Sequence, residues 1–174
     1  PSSLVYLGDY SFFGCIAIET IAIPTSLVSI GDYAFSECRY LREVVIEFDS
    51  ALEYIGIAAF DNTLPYSMKR DVIIPDSVKF IGDYAFNSFY ANIIISSTSQ
   101  LTSIGKGAFY GIDSGEINLT NRVEFIGDSA FGYSSDLNIY VESETKLDGW
   151  SDNWCGDQGS LTCPKIHWGK QCEA

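Results

Sequence analysis

Histidine is almost absent from this sequence, with His167 as its one example. Residues 1–141 contain none, so a Ser/His/Asp triad or a Cys/His pair cannot be assembled there. The phosphate-binding patterns Gly-x-Gly-x-x-Gly and Gly-Lys-Ser/Thr are missing as well. Acidic residues are plentiful, but no two of them stand out as the carboxylate pair of a glycosidase. We therefore expect a protein that is not an enzyme and that has no catalytic, cofactor-binding or metal-binding residues.

Basic residues are scarce, since 10 Lys and Arg stand against 23 Asp and Glu, for a formal net charge of −13. Nucleic acids and anionic lipids are bound through Lys and Arg, so neither is an expected partner. No stretch approaches the roughly 20 apolar residues of a membrane span, so membrane insertion is not expected either. The negative charge permits a cationic partner or Ca²⁺, although solubility alone explains it.

What the sequence has in abundance is one motif, Ile-Gly-Asp-Tyr-Ala-Phe. Its six copies occupy Leu7–Phe12, Ile30–Phe35, Ile55–Phe60, Ile81–Phe86, Ile104–Phe109 and Ile126–Phe131. The motif glycines, at positions 8, 31, 56, 82, 105 and 127, are separated by 23, 25, 26, 23 and 22 residues. This period lies within the roughly 20–29 residues of leucine-rich repeats and indicates a solenoid.

A short β-branched run accompanies each repeat and predicts a strand. These runs are Thr20–Pro24, Glu43–Glu47, Asp71–Pro75, Asn92–Ser96, Glu116–Thr120 and Asp136–Tyr140. Within the motif, we expect the glycine to adopt a positive φ at a corner and the aspartate to cap a short helical turn. The alanine allows close approach of coils, and the phenylalanines are expected to stack as a ladder in the core.

The predicted fold is therefore a β-rich α/β solenoid, a right-handed superhelix of about six coils that each combine a strand with a short helical turn. Residues 1–141 form this solenoid. Residues 142–174 break the period and contain all three tryptophans, which suggests a Trp- and Cys-rich C-terminal cap over the apolar end of the array. The rival interpretation of these tryptophans is an aromatic platform for carbohydrate.

Alternate residues of each predicted strand face outward. One row of outward-facing residues near the strand centres contains Val45, Ile73, Ile94 and Asn118. The first three of these form an apolar stripe on the sheet. Acidic residues edge this stripe at Glu43, Asp71 and Glu116. Three exposed β-branched residues in a row indicate a protein-binding face, although strand propensity or cover by a neighbouring chain would explain them equally well.

The three cysteines of the C-terminal segment allow two interpretations. In a secreted protein, one disulfide could staple the segment, and Cys155 with Cys163 is the first choice, leaving Cys172 near the end of the chain. A zinc site built from these cysteines and His167 is less expected, because no Cys-x-x-Cys pair is present.

The repeat resembles the BspA-like, or Treponema pallidum-type, leucine-rich repeats. The match is nearly residue for residue from Ile21–Pro24 through Ile30–Cys38, and it extends over about residues 4–141. Later copies lose the cysteine found at Cys38. The resemblance implies a secreted or cell-surface bacterial protein with an adhesive or protein-binding role and no catalysis. Its partners would be host matrix proteins or other cells. The alternative functions are a purely structural spacer and a glycan-binding module that uses the tryptophans.

Overall fold

The computed structural model describes residues 3–63, 71–112, 114–156 and 163–170. Six two-residue strands enter the motifs: β1 Tyr6–Leu7, β3 Ser29–Ile30, β5 Tyr54–Ile55, β7 Phe80–Ile81, β9 Ser103–Ile104 and β11 Phe125–Ile126. Seven longer strands are β2 Thr20–Ile23, β4 Glu43–Ile46, β6 Asp71–Ile74, β8 Asn92–Ile95, β10 Ser114–Leu119, β12 Leu137–Val141 and β13 Lys165–Trp168.

The strands pair in parallel with the equivalent strands of neighbouring coils, except that β4 does not pair with β6. The short strands form one six-stranded sheet in the order β1-β3-β5-β7-β9-β11. The longer strands form a five-stranded sheet, β13-β12-β10-β8-β6, and a separate pair, β2-β4. The chain is therefore a parallel β-solenoid of about six coils, as the repeat period predicts.

The core lies between these sheets and contains the predicted phenylalanine ladder. Phe12, Phe35, Phe60, Phe86, Phe109 and Phe131 stack in succession, with neighbouring ring centroids 5.2–5.5 Å apart. Five of the six rings are buried, and Phe12 of the first coil is 37% exposed. Because one side chain of the same kind enters from each coil, the core repeats at the spacing of the strands.

The predicted helical turns are wrong: no helix occurs in the residues that the structure describes. After the motif glycine and its neighbour, the backbone enters the left-handed region, with φ of 56° at Tyr33 and 55° at Tyr84. From this residue onward, alternate N–H groups bond to the next coil, as when Tyr33 donates to the Ile57 carbonyl at 2.7 Å. A right-handed helix would instead satisfy those groups within its own segment, so stacking of coils replaces helix formation here.

The motif aspartates also differ from their predicted role as caps of their own turns. Asp9 Oδ1 accepts the backbone N–H of Asp32 at 2.9 Å, and Asp32 Oδ1 accepts that of Ile57 at 2.7 Å. Asp83 Oδ1 accepts the N–H of Lys106 at 2.7 Å in the same way. Each of these carboxylates therefore links its own coil to the following one.

Close approach to the preceding coil, and not a positive φ, explains the motif glycines from Gly31 onward. None of the six has a positive φ. A Cβ placed on Gly31 would lie 2.5 Å from Asp9 Oδ1 and 2.6 Å from the Asp9 nitrogen in the preceding coil. Only glycine permits two backbones to approach this closely at the corner.

Candidate protein-interaction face

The predicted apolar stripe lies on the outer side of the longer strands. Ile73 is 51% exposed, and Val45 and Ile94 are half-buried, while their neighbours along each strand point into the core. Ile73 and Ile94 are paired in register on β6 and β8. The inward and outward assignments made from the sequence are therefore correct for these three residues.

The face is interrupted between β4 and β6. These strands belong to different sheets, and a cleft of about 330 Å³ lies between them, lined by residues 42–46 and 71–73. Four residues predicted for the face line this cleft, namely Glu43, Val45, Asp71 and Ile73.

Acidic groups border the cleft. Asp71 is exposed, and its Oδ1 accepts a hydrogen bond from Asn92 Nδ2 at 2.7 Å. Glu43 is half-buried on β4. Arg42, at the same end of the cleft, lies 3.9 Å from the Glu19 carboxylate. The mouth therefore combines carboxylates with one guanidinium, and its floor is made of valine and isoleucine.

The row assignment on β10 is wrong by two residues. Glu116 is the residue paired with Ile94 on one side and with Asn138 on the other. Asn118 lies two positions further along, in register with Tyr140, and is 6% exposed, with its Nδ2 donating to the Ile95 carbonyl at 2.9 Å. Glu116 therefore continues the stripe and is exposed, whereas Asn118 does not belong to the accessible face.

The reason for the shift is Gly115, which takes the inward place opposite Ile93. The apolar pattern Ile117-x-Leu119 suggested pairing with Ile93-x-Ile95, but the structure pairs Ile117 with Ile95. A Cβ on Gly115 would lie 2.2 Å from the Ile93 carbonyl oxygen, so a side chain is excluded there. Paired residues on β8 and β10, and on β10 and β12, are both separated by 22 residues. Equal spacing between successive strands was therefore the signal that could have placed Glu116, and not Asn118, beside Ile94.

An exposed aromatic row on the six-stranded sheet was missed by the sequence reasoning. Tyr6, Tyr54, Phe80 and Phe125 precede the motif isoleucine or leucine in their coils and are 56%, 39%, 47% and 50% exposed. Register pairs place them in one line, with Ser29 and Ser103 at the intervening positions. The signal was available, since four of six copies carry Tyr or Phe directly before the motif.

Groups with shifted pKa values lie apart from the cleft. Burial raises the pKa of the Asp61 carboxyl, although Asn87 Nδ2 donates to it at 2.8 Å. Burial also raises the pKa of the Cys38 thiol, whose Sγ donates to the Phe12 carbonyl at 3.0 Å. A thiol held in its protonated form is a poor nucleophile, and Cys38 and Cys15 form no disulfide.

Comparison with known proteins identifies the repeat. A profile of the BspA type leucine rich repeat region matches residues 5–138 in six copies. The chain belongs to the BspA-type leucine-rich repeat family. This confirms the resemblance noted from the sequence.

Solved structures of other proteins share the fold. The pneumococcal vaccine antigen PcpA is 26% identical with a TM-score of 0.59, and the match covers 75% of this chain and 33% of that one. A leucine rich cell surface protein from Faecalibacterium prausnitzii is 23% identical with a TM-score of 0.52, covering 86% and 45%. The chain thus spans less than half the length of these two relatives. No curated protein matches this sequence.

The C-terminal segment of this BspA-type chain continues both large sheets. Strand β13 pairs with β12, and Trp150 forms a parallel bridge with Ile126. Trp150 and Trp154 are each 2% exposed, and Trp150 Nε1 donates to the Val123 carbonyl at 2.8 Å. Two of the three tryptophans are therefore inaccessible to a carbohydrate, which counts against the glycan platform.

The predicted Cys155–Cys163 disulfide remains a prediction. Cys155 is buried and Cys163 is half-buried, and the choice among the three cysteines also involves Cys172, which lies outside the described residues. Within the described part of the chain, no cluster of three or more His, Cys, Asp or Glu side chains is arranged to hold a metal ion. No helix there has the length and apolarity needed to cross a bilayer.

Proposed function

We propose that this chain is a non-catalytic protein-interaction module, secreted or displayed on a bacterial cell surface, that binds host matrix proteins or other cells. Its binding face is the outer side of β4, β6 and β8, with the apolar stripe of Val45, Ile73 and Ile94 at its centre. The observation that carries the proposal is the apolar-floored cleft between β4 and β6, which coincides with the most exposed residue of that stripe, Ile73.

The physical argument rests on exposed apolar area. A half-exposed isoleucine in the middle of a sheet loses apolar contact with water when a partner covers it, which favours association by roughly 25 cal/mol per Å² buried. The carboxylates of Asp71 and Glu116 and the guanidinium of Arg42 surround this apolar centre with polar groups, an arrangement common to protein interfaces. Relatives described as a vaccine antigen and a cell surface protein support surface display.

We also propose that residues 142–174 form a C-terminal cap on the solenoid of residues 1–141. Support comes from Trp154, whose ring meets that of Phe131 edge-on at 5.7 Å at the end of the phenylalanine ladder. A large aromatic side chain here keeps water from the last ring of the ladder.

Lysine substitution of the stripe tests the binding function. The triple variant Val45→Lys/Ile73→Lys/Ile94→Lys should lose binding to immobilised extracellular matrix proteins and to epithelial cells, while Phe48→Lys, at an exposed residue outside the stripe, should keep it. Thermal unfolding of each variant, followed by circular dichroism, shows whether the fold survives. If the native chain binds and the triple variant binds equally well, the proposal that this face is the binding surface is rejected. A native chain that binds none of these targets would favour the spacer function.

A further inference from the structure

We propose a second interaction surface on the six-stranded sheet, which binds an extended polypeptide segment rich in Arg and Lys. The surface is the aromatic row of Tyr6, Tyr54, Phe80 and Phe125 together with the motif aspartates beside it. It is distinct from the stripe on the longer strands and does not depend on the function proposed for that face.

Strand register makes the row continuous. The paired positions run Tyr6, Ser29, Tyr54, Phe80, Ser103 and Phe125. Adjacent strands lie about 4.8 Å apart, so the row spans about 24 Å, the length of roughly seven extended residues. Rings on both sides of a serine are about 10 Å apart, which leaves two slots that admit a side chain between aromatic rings.

The aspartates place negative charge along this row. Asp9 Oδ1 lies 3.5 Å from the Tyr6 hydroxyl. The charge of Asp9 raises the pKa of Tyr6. The pKa of Tyr54 is raised most by burial and next by the charges of Asp32 and Asp9. The negative potential of these carboxylates therefore reaches the rings themselves.

Aromatic rings combined with carboxylates fit the side chains of arginine and lysine. The ring faces attract a cation, and arginine also stacks its flat guanidinium on them. The protein already contains such a contact on this side, because Lys106 Nζ lies 6.0 Å from the centre of the Tyr84 ring. The net charge of −13 would further accelerate the approach of a basic segment.

The chain itself supplies a mild substitution for the test. Serine occupies the same strand position at Ser29 and Ser103, so Tyr54→Ser/Phe80→Ser/Phe125→Ser should fold. Phe48→Ser is the matched control, since Phe48 is 83% exposed and lies outside the row. Asp83→Asn removes a charge but keeps an amide oxygen that can accept the Lys106 N–H.

The experiment measures fluorescence anisotropy with labelled peptides of about ten residues that alternate Arg with Ser or Glu with Ser. The native chain should bind the Arg peptide saturably and the Glu peptide not at all. The triple serine variant should bind the Arg peptide at least about tenfold more weakly, and Phe48→Ser should bind it as the native chain does. Asp83→Asn should weaken binding and reduce its dependence on salt.

Two results would overturn the proposal. The first is no saturable binding of the Arg peptide; if the native chain then binds a glycan array and the triple serine variant does not, the row is assigned to carbohydrate. The second is equal affinity of the native chain and a folded triple serine variant for the Arg peptide.

Discussion

The two ends of the solenoid carry the same motif but differ in what covers it. In the first coil, Phe12 and Ile16 are 37% and 60% exposed, and an apolar cavity of about 200 Å³ opens beside Leu4 and Leu7. In the sixth coil, Phe131 is fully buried because Trp154 covers it. The contribution of a repeat residue to stability therefore depends on neighbours on both sides, as expected for a stack in which each coil contacts only the adjacent ones.

The largest expected loss of stability comes from uncovering the C-terminal end of the phenylalanine ladder, so that it resembles the exposed first coil. Trp154→Ala removes a buried ring and uncovers Phe131, and should lower the free energy of unfolding by about 3–5 kcal/mol. Trp168→Ala, at a residue that is 36% exposed, is the control and should cost much less. Urea denaturation followed by circular dichroism measures both. Equal losses would show that the degree of burial of these tryptophans does not set their contribution.

A smaller effect should separate two glycines at the same motif position. Gly31→Ala forces a Cβ to within 2.5 Å of the preceding coil and should destabilise by about 2–3 kcal/mol. In Gly8→Ala the nearest atom would be 3.5 Å away and φ is not positive, so the change should be within about 0.5 kcal/mol of neutral or slightly stabilising. Melting temperatures of the two variants test this difference. A similar loss in both would mean that the preceding coil is not the cause.

The carboxylate links between coils should contribute less than the glycines. Asp32→Ala removes the acceptor for the Ile57 N–H and should cost about 1 kcal/mol. Asp32→Asn keeps an oxygen acceptor and should cost less than half as much. Amide hydrogen exchange at Ile57 provides the local measurement, with faster exchange expected only for the alanine variant. Unchanged exchange in Asp32→Ala would exclude this link as a stabilising contact.

The smallest effect depends on pH and contrasts the half-buried Asp61 with Asp152 of the C-terminal segment. Burial raises the pKa of Asp61 above its ordinary value of 3.8. The contribution of this carboxyl to the free energy of unfolding is therefore most favourable below pH 3.8, and it is lost as the pH rises through the folded-state pKa. Asp61→Asn should therefore be more stable than the native chain at about pH 7, and this advantage should disappear near pH 3.

Asp152 is expected to show the opposite sign. Its hydrogen bond from Lys146, together with the charge of that residue, lowers its pKa, so its contribution is present above its ordinary value of 3.8 and is lost as pH falls through the folded-state pKa. Denaturant midpoints between about pH 3 and pH 7 compare Asp61→Asn with Asp152→Asn. Parallel pH profiles for these two variants would contradict the assignment.

Sequence reasoning was successful where strand alternation or exact repetition of the motif contains the information, and failed where close backbone approach between two coils decides the arrangement. Ile73 was placed correctly on the outer side because strand alternation is a local property. Asn118 was placed in the wrong row because its register depends on Gly115 approaching Ile93 in another coil. A shift of two residues preserves the side of the sheet, which is why the error changed the neighbour of Ile94 but not the direction of the side chains.

The sequence by itself determined the number of coils, the identity of the core residues and the stacking of the six phenylalanines, because repetition and alternation are properties of one chain in order. Only the tertiary structure decided why the motif contains Gly and Asp. Gly31 is needed because Asp9 approaches from the preceding coil, and Asp32 bonds to Ile57 of the following coil. Both reasons lie in backbone atoms more than 20 residues away, which no local pattern describes. The aromatic row likewise became a surface only when strand pairing aligned its members.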